Sequence, residues 1–416
     1  MSYNPGSVDP LRIMVNYQVS ELSNVEIEAV TFLLADFLST TSAYLYGKNS
    51  LDYANLRGSE LAAYLAIASS NGDMDDVDWG EVHHPGSVIL PAVLAVGIER
   101  HSSSDQIQRA IQAGYQSAAI FSGIMSSEIR QKWHATSMAG AVGATHAIAE
   151  LIGLTANQAY AALSLTCANI GGLAQAGIER NGAAQFNRGA AASLSVIAAR
   201  AALMDIPHLP GSFTSLMLAW GIDPDLAGIE AEAKSQQALG IQGASLRLLP
   251  VSGYMQAAVH AVVSVLMRSS GFSSLQISVA PSTYRLTVTG QSPYNWVDDY
   301  WWDLPLMVNH LLQGANAFSR RIPVLNGGTQ LSVEFLEDSS LAPNEARLQY
   351  RNSSGQIELH NFVAPGGLPL DETTRNLWDQ KCSLWLGVSP ERNLAAAQAI
   401  MSNGLQGKNL AELFSI

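Results

Sequence analysis

The sequence is short of charge and of cysteine, and each shortage excludes a class of protein. Only 14% of its 416 residues are charged and 48% are apolar, which is typical of a well-packed globular enzyme and excludes a disordered chain. The net charge is −13 and the basic residues form no block, so we expect no nucleic acid partner. Cys167 and Cys382 lie far apart and are expected to be reduced thiols, which indicates the cytoplasm.

The chain also lacks a long apolar run. The longest one, Val88 to Ile98, is far short of the roughly 20 residues that a membrane span requires. The first residues contain no basic region followed by an apolar core, so no signal peptide is expected. The sequence has no internal repeat, low-complexity linker or heptad run. These absences predict a soluble globular protein that does not bind a membrane.

Apolar residues recur at helical spacing through the first 245 residues. A chain of this length usually forms more than one domain, and this part predicts an all-helical one without strands. Ser23 or Asn24 is placed as the cap of the first helix, and a serine cluster with Asp105 precedes the fourth. The fifth helix is rich in alanine and glycine three or four residues apart, which lets helix backbones approach closely. The predicted helices are Val19–Thr41, Leu51–Ser70, Val88–Arg100, Ser103–Ser122, Trp133–Ile152, Thr155–Gly172 and Gly189–Met204.

The pattern changes after Pro250 and indicates a smaller α+β unit of about 125 residues. The helical pattern then returns, so residues 1–245 completed by 375–416 are predicted as the helical domain. The fold class is therefore mainly α, with a large all-helical domain and a smaller α+β domain. The predicted later elements are a helix over Tyr254–Met267, a strand over Leu275–Thr289, a short helix ending at Gly314, strands near Val333, Leu348 and Leu359, and helices over Thr373–Leu386 and Pro390–Asn403.

An acidic stretch with two histidines stands directly before a predicted helix. It reads DMDDVDWGEVHHPGSVILP from Asp73, and its acids could line a cleft at the helix N-terminus, where the dipole favours anions. A plain solvated loop is the alternative. An EF-hand calcium site is excluded, because the fifth, sixth and twelfth positions are Val77, Asp78 and His84. We expect no metal here, and we expect His83 to be exposed.

His134 is the first candidate for an acid–base group. An imidazole exchanges protons near neutral pH, and His134 opens the small-residue helix, where it would lie at a pocket rim. Lys132, two residues earlier, is a candidate for binding substrate. His84 is a candidate second proton carrier, with Asp73 fixing its tautomer. The alternatives are a capping or packing role for His134 and a bond to a turn carbonyl for His84.

The glycine-rich loop from Gly171 to Gly189 is a candidate for holding a substrate oxygen through main-chain N–H groups. Arg180 and Arg188 lie in this loop, and Arg247 follows later; each could pair with a carboxylate. The loop is no phosphate-binding P-loop, because it does not end in Gly-Lys-Ser or Gly-Lys-Thr. Simple turns between helices are the alternative.

Three segments in order, HHPGSVILPAVLAV, KWHATSMAGAVGATHAIAELIGL and FNRGAAASLS, carry a family resemblance. Together with the later PGGLPLD and NLAELFSI, they make the chain resemble the MmgE/PrpD family. Its members include 2-methylcitrate dehydratase, cis-aconitate decarboxylase and iminodisuccinate epimerase. The resemblance implies a large helical domain, an α+β lid of about residues 246–374, a homodimer, an active site between the domains, and catalysis without metal or organic cofactor.

The family's functional residues carry over position by position. Asp73, His84 and His134 match its motifs, which implies catalytic roles for them. Arg247 stands where the family has a substrate-binding lysine. The remaining positions depart from the family, which implies a larger and less charged substrate than methylcitrate. The departures are Val77 for a threonine, Ala184 for a lysine and Leu306 for a tyrosine.

The predicted function is a cofactor-independent lyase or isomerase that removes a proton next to a carbonyl or carboxylate group, with His134 as base. Dehydration, epimerisation, decarboxylation and cyclisation all begin with this step and need an enolate-like species to be stabilised. Specialised metabolism is a reasonable setting for a less charged substrate. A ligand-binding homologue that has lost catalysis is the alternative, and the three departures are its support.

Overall fold

The computed structural model describes the chain as two compact units of unequal size. Unit 1 comprises Met1–Asn71, Asp75–Ala244 and Ser389–Ile416, and unit 2 comprises Gly72–Met74 and Ser245–Val388. Helices dominate, and the predicted fold class, mainly α with a smaller α+β part, is confirmed. The described residues are 9–17, 19–45, 55–80, 82–178, 182–204, 211–237, 240–268, 272–289, 302–314, 316–318, 332–408 and 410–414.

Up to residue 243 the chain is almost entirely helical. The only strand here in the described ranges is the two-residue β1, which follows α3. The elements are α1 (Pro10–Val15), α2 (Asn24–Leu45), α3 (Gly58–Ser70), β1 (Val77–Asp78), α4 (Gly86–Arg100), α5 (Ser104–Ile124), α6 (Ser127–Lys132), α7 (Ala135–Ile152), α8 (Ala156–Asn169), α9 (Gln175–Ile178), α10 (Ala183–Ala202), α11 (Ser212–Ala219), α12 (Pro224–Gln237) and a 3₁₀ turn (Gly240–Gly243).

Side-chain caps explain where several of these helices begin. Ser23 accepts the N–H of Glu26 at 3.3 Å and donates its own N–H to the Glu26 carboxylate at 2.9 Å, which confirms the predicted cap of α2. Ser103 forms the same reciprocal capping box with Gln106 at the start of α5. Each such cap contributes about 1 kcal/mol by satisfying main-chain donors that the first turn leaves open.

The small residues of α7 let it pack at backbone distance against its neighbours. A Cβ atom added to Gly143 would lie 2.5 Å from the main-chain oxygen of Gly114 in α5. One added to Gly140 would lie 2.7 Å from the Val88 side chain in α4. Neither position has room for a side chain, so the predicted close approach of helix backbones is confirmed.

Unit 2 contains a four-stranded sheet and the helices that cover it. Its order is β4-β3-β5-β6, with β3 parallel to β4 and antiparallel to β5, and β5 antiparallel to β6. The elements are β2 (Ala244–Ser245, at the junction), a 3₁₀ turn (Gly253–Met255), α13 (Gln256–Arg268), β3 (Phe272–Val279), α14 (Pro281–Thr283), a π-helix (Tyr284–Val288), α15 (Leu304–Leu312), β4 (Ser332–Glu337), β5 (Glu345–Asn352), β6 (Ile357–Val363), α16 (Glu372–Gln380) and a second π-helix (Lys381–Leu386).

Alternating residues of β3 and β5 form the core of unit 2. Ile277 and Leu348 are fully buried and share this core with residues of α13 and α15. The strands predicted near residues 333, 348 and 359 are confirmed. The strand predicted over 275–289 is wrong in its second half, which is helical from Pro281. Proline cannot donate to a strand ladder but suits the first turn of a helix, so the alternating pattern beyond it was misleading.

After unit 2 the chain returns to unit 1 through α17 (Pro390–Asn403) and α18 (Leu410–Phe414). Asn393 of α17 donates to Ser39 of α2 at 3.0 Å between buried side chains. Unit 2 extends to Val388, and Trp385 is part of its core. Within the described ranges, no helix has both the length and the hydropathy that crossing a membrane would take.

Candidate active site

The acidic stretch after α3 folds into a tight hairpin of unit 1. Asp78 donates its N–H to the carbonyl of His83 at 2.9 Å and accepts the His83 N–H at 3.3 Å. The Asp78 carboxylate also accepts the N–H of Gly80 at 2.8 Å inside the turn. Asp75, Asp76 and Asp78 are only 5%, 6% and 8% exposed. The alternative of a plain solvated loop is therefore wrong for these three acids.

Asp76 lies at the N-terminus of α4. Its carboxylate accepts the N–H of Gly86 at 3.0 and 3.1 Å and the hydroxyl of Tyr115 at 2.9 Å. Burial raises the pKa of Asp76 to about 7, the charge of Asp75 adds to this, and the two donors offset only part of it. The predicted placement of an acid at a helix N-terminus holds for Asp76, where the carboxyl group organises the turn into α4.

His84 has a defined tautomer. Its Nδ1 lies 2.6 Å from the main-chain oxygen of Asp76, and a carbonyl can only accept, so Nδ1 carries a proton. In the neutral ring Nε2 is then the atom that can take up a proton. The single Nδ1 proton is committed to the Asp76 carbonyl. The bond to a main-chain carbonyl that was the alternative for His84 is therefore present, and the role of Asp73 stays a prediction.

His134 is the N-cap residue of α7, and its ring does not cap the helix. The alternative of a side-chain cap is therefore excluded, and the ring is half-buried. Its main-chain N–H donates to Gly172 at 2.9 Å. Thr136, two residues into the helix, accepts the main-chain N–H of His84 at 3.2 Å. The start of α7 thus brings the segments of both candidate histidines together.

The loop after α8 runs alongside the start of α7. The N–H of Ala174 donates to the carbonyl of Lys132 at 3.0 Å, and the hydroxyl of Ser137 donates to Gly171 at 2.9 Å. Gly172 has φ +113°, and a Cβ atom there would lie 2.6 Å from the Ser137 hydroxyl oxygen. Glycine is required at this position for the loop to approach His134. The side chain of Lys132 is exposed.

The two buried arginines among the candidates are each paired with an aspartate. Arg188 lies 3.6 Å from Asp75 in unit 1, and both side chains are 4% exposed. Arg247 lies 2.9 Å from Asp73 in unit 2, with the guanidinium fully buried. Arg180 lies outside the described residues. The buried positive charge predicted for substrate binding is therefore already opposed by carboxylates of this chain.

The three positions that depart from the family have different surroundings. Val77 is fully buried in β1, and Ala184 is half-buried in the first turn of α10. Leu306 is half-buried in α15 and packs against the core of unit 2. Within the described residues, no three His, Cys, Asp or Glu side chains are grouped closely enough to hold a metal ion.

The prediction that His83 is exposed is wrong, because its side chain is fully buried. Within the described parts of the chain, neither ring nitrogen has a hydrogen-bond partner. Burial lowers the pKa of His83 to about 3, with Arg130 and Lys234 adding to the effect. Successive side chains of an extended segment point to opposite sides, so adjacent histidines have different environments. That alternation was the available signal that one of the two could be buried.

A neutral buried His83 makes the fold sensitive to acid. The pKa of His83 is lower in the folded chain than in the unfolded chain. The contribution of the neutral ring to the free energy of unfolding is therefore complete above about pH 6.5 and decreases as the pH falls toward 3. Between about pH 6.5 and pH 5 this amounts to about 2 kcal/mol. When the pH is lowered from about 6.5 to about 5, we expect the free energy of unfolding, measured in urea, to fall by about 2 kcal/mol less in His83→Phe than in the parent. His360→Phe, at an exposed histidine, is the control; an equal loss in all three proteins would contradict the prediction.

A helical unit that places two histidine segments beside a buried acidic hairpin defines a candidate acid–base enzyme. Residues 52–207 match the family model of the MmgE/PrpD N-terminal domain, a range that includes Asp73, His84, His134 and Arg188. This match supports the predicted resemblance to the MmgE/PrpD family over these residues. At this coarse level, the match supports a dehydratase-like or lyase-like enzyme. No curated protein matches the chain.

Proposed function

We propose that this protein is a cofactor-independent lyase or isomerase that removes a proton next to a carbonyl or carboxylate group. The observation that carries the proposal is the hydrogen bond from the His84 main-chain N–H to Thr136, which lies in the first turn of the helix that His134 opens. Two imidazoles acting together can take a proton and supply one without a metal or organic cofactor. The proposed compartment is the cytoplasm, where a buried thiol such as Cys167 stays reduced.

His134 acts first in this mechanism. Its ring takes the proton from the acidic carbon, and the electron pair moves into an enolate-like species. In a dehydration, His84 enters the step as the imidazolium; the neighbouring C–O bond then breaks, a C=C bond forms, and the hydroxyl group leaves as water with the Nε2 proton of His84, which becomes the neutral ring. In an epimerisation, the His84 imidazolium instead gives its Nε2 proton to the carbon from the other face, while His134 keeps the proton it removed. In both cases the Asp76 carbonyl holds Nδ1, so Nε2 is the nitrogen that exchanges.

The charge balance of the candidate residues favours a substrate with fewer carboxylates than methylcitrate. Asp75 and Asp73 already oppose the buried Arg188 and Arg247. A substrate carboxylate would have to compete with these aspartates, and a less charged group would not. A larger substrate of specialised metabolism fits this balance. Cyclisation remains an alternative because it begins with the same proton transfer. Decarboxylation remains one because loss of carbon dioxide leaves a similar enolate-like species, which a protonated histidine can then protonate.

Proton exchange in heavy water tests this function directly. The probes are 2-methylcitrate and its methyl esters, because they share a carbon skeleton and differ in charge. We expect deuterium to enter the carbon next to the carbonyl group, faster in the esters than in the acid. Binding that raises the melting temperature without any exchange would instead support the second candidate, a ligand-binding homologue. The ligand-binding candidate is favoured by the three departures from the family, at Val77, Ala184 and Leu306.

We propose that the protein is a homodimer and that α10 provides the contact. One stripe of this helix is apolar and solvent-accessible, with Phe186, Ile197 and Met204 being 65%, 54% and 76% exposed. Small residues fill the stripe between them, and it carries no charged side chain. Unpaired apolar stripes of this length usually mark an interaction site. The full stripe is Phe186, Ala190, Ser193, Ile197, Ala201 and Met204.

The spacing of the stripe favours a second copy of this chain as the partner. Two such helices, antiparallel about a twofold axis near residue 195, would place Ser193 of each copy opposite Ile197 of the other. Ala190 would face Ala201 in the same arrangement. Phe186 would face Met204 at each end of the contact, and the small residues between them would meet Ile197 or one another. The stripe can therefore pair with its own copy, as a twofold interface requires.

We expect Ile197→Glu to weaken the dimer on the order of a hundredfold, because two uncompensated charges would enter the contact. Sedimentation equilibrium measures this. Combining it with Ser193→Lys should restore part of the affinity by pairing opposite charges across the axis. Leu359→Glu, at a 58% exposed apolar residue of unit 2, is the matched control and should leave the dimer intact. A monomeric parent protein would contradict the proposal.

A further inference from the structure

Three contacts hold the short segment Gly72–Met74 within unit 2. The Met74 side chain is 1% exposed and belongs to the core of that unit. The Asp73 carboxylate pairs with Arg247 at 2.9 Å. The main-chain oxygen of Met74 accepts a hydrogen bond from the ammonium group of Lys381 at 2.7 Å. The three contacts restrain two side chains and one main-chain carbonyl, so both the backbone and the side chains of the segment are held in place.

Lys381 is an unusual residue to find in this position. It begins the second π-helix, and its side chain is fully buried. Burying an ammonium group is unfavourable unless hydrogen bonds compensate, and a methionine of similar length would fill the space without that penalty. Stability alone therefore does not favour lysine. Its hydrogen bond is directed at a main-chain oxygen, which fixes backbone geometry.

The backbone of this segment is in a conformation that needs such support. Gly72 and Asp73 have φ values of +97° and +57°, two positive values in succession. Non-glycine residues in this region cost conformational energy and persist where the surrounding structure holds them. Arg247 and Lys381 supply that restraint on the side chain of Asp73 and on the next carbonyl.

The chain continues from Met74 directly into the candidate site of unit 1. Asp75 pairs with Arg188, and the carbonyl of Asp76 fixes the Nδ1 proton of His84. Only one residue separates the carbonyl held by Lys381 from that of Asp76. A displaced Met74 carbonyl would therefore turn the next peptide groups and move the acceptor that holds His84.

We infer that Lys381 is a positioning residue, which holds the Met74 carbonyl and thereby fixes the tautomer of His84 through the Asp76 carbonyl. Its effect on turnover depends on the proposed function, in which His84 exchanges its proton at Nε2. The effect of Lys381 on the tautomer of His84 is independent of the proposed function. The two consequences can therefore be measured separately.

The test is Lys381→Met, which keeps the side-chain length and removes the donor. NMR of the ring nitrogens in histidine-labelled protein reports the tautomer, with His84→Asn assigning the signal. We expect the parent to show protonated Nδ1 at His84 and the variant to show a mixture of both tautomers. Turnover should fall about tenfold or more while KM stays within about twofold, since misplaced catalytic groups affect mainly the chemical step. Leu384→Met, at an exposed residue of the same π-helix, is the control.

Asp73→Asn provides a second variant if Lys381→Met does not fold. Asparagine tolerates the positive φ at this position and removes the ion pair with Arg247, so the same tautomer mixture is expected. An unchanged His84 signal in a folded variant overturns the inference. If the tautomer changes but the parent protein exchanges no proton in any probe, the positioning role stands and the proposed function fails.

Discussion

Replacing His134 with alanine is expected to slow deuterium exchange into the substrate at least about a hundredfold, because the ring is the proposed proton acceptor. The helix should survive, since the imidazole makes no capping bond to α7. The exchange rate and the unfolding midpoint in urea are measured on the same samples. A large fall in rate at an unchanged midpoint separates a chemical role from a structural one.

His134→Asn sharpens this experiment. Asparagine is a preferred N-cap residue and should leave α7 as stable as in the parent or more stable, while it cannot act as a base near neutral pH. His360→Asn, at an exposed histidine of unit 2, controls for loss of any imidazole. Near-normal exchange in both His134 variants would eliminate the proposed base, and the second candidate function would then be favoured.

Replacing Arg188 with methionine is expected to lower the free energy of unfolding by about 3–5 kcal/mol, because it removes one partner of a buried ion pair. The carboxylate of Asp75 is 3.6 Å away and only 4% exposed. It would lose this partner in surroundings that do not hydrate a charge well. Urea denaturation at neutral pH measures the loss.

Two further variants define the cause of that loss. Arg188→Met combined with Asp75→Asn should be more stable than Arg188→Met alone, since no carboxylate then remains at this buried position. Arg109→Ala, which breaks the more exposed pair with Glu150, should cost less than about 1 kcal/mol. Equal losses for Arg188→Met and Arg109→Ala would show that the buried pair contributes little.

The helices were predictable from the sequence where local chemistry determines them. Ser23 and Ser103 form caps with the residues three positions later, and both predicted caps are confirmed. The strand predicted beyond Pro281 failed because side-chain alternation was weighed above the missing N–H. The extent of unit 2 could not be predicted either, since it depends on where Trp385 is buried in three dimensions.

The residues of the candidate site could be proposed from residue type and family resemblance, but the hydrogen bonds that hold them could not be predicted. The sequence identified His84 and His134, and the structure places their segments beside Thr136. It did not indicate that the Asp76 carbonyl would hold His84, because every residue has such a carbonyl and only the folded path selects one. The burial of His83 was missed for a related reason, since it depends on the direction of the hairpin.

The contact between Gly114 and Gly143 limits how this enzyme could acquire a new substrate range. Gly143 lies nine residues beyond His134 on the same helix, or about 13 Å along its axis. Since the backbones already touch there, α7 cannot slide or tilt toward α5 without a steric clash. Laboratory evolution of substrate preference would therefore have to alter the loop around Gly172 or the first turn of α7, while the crossing of the two helices stays unchanged.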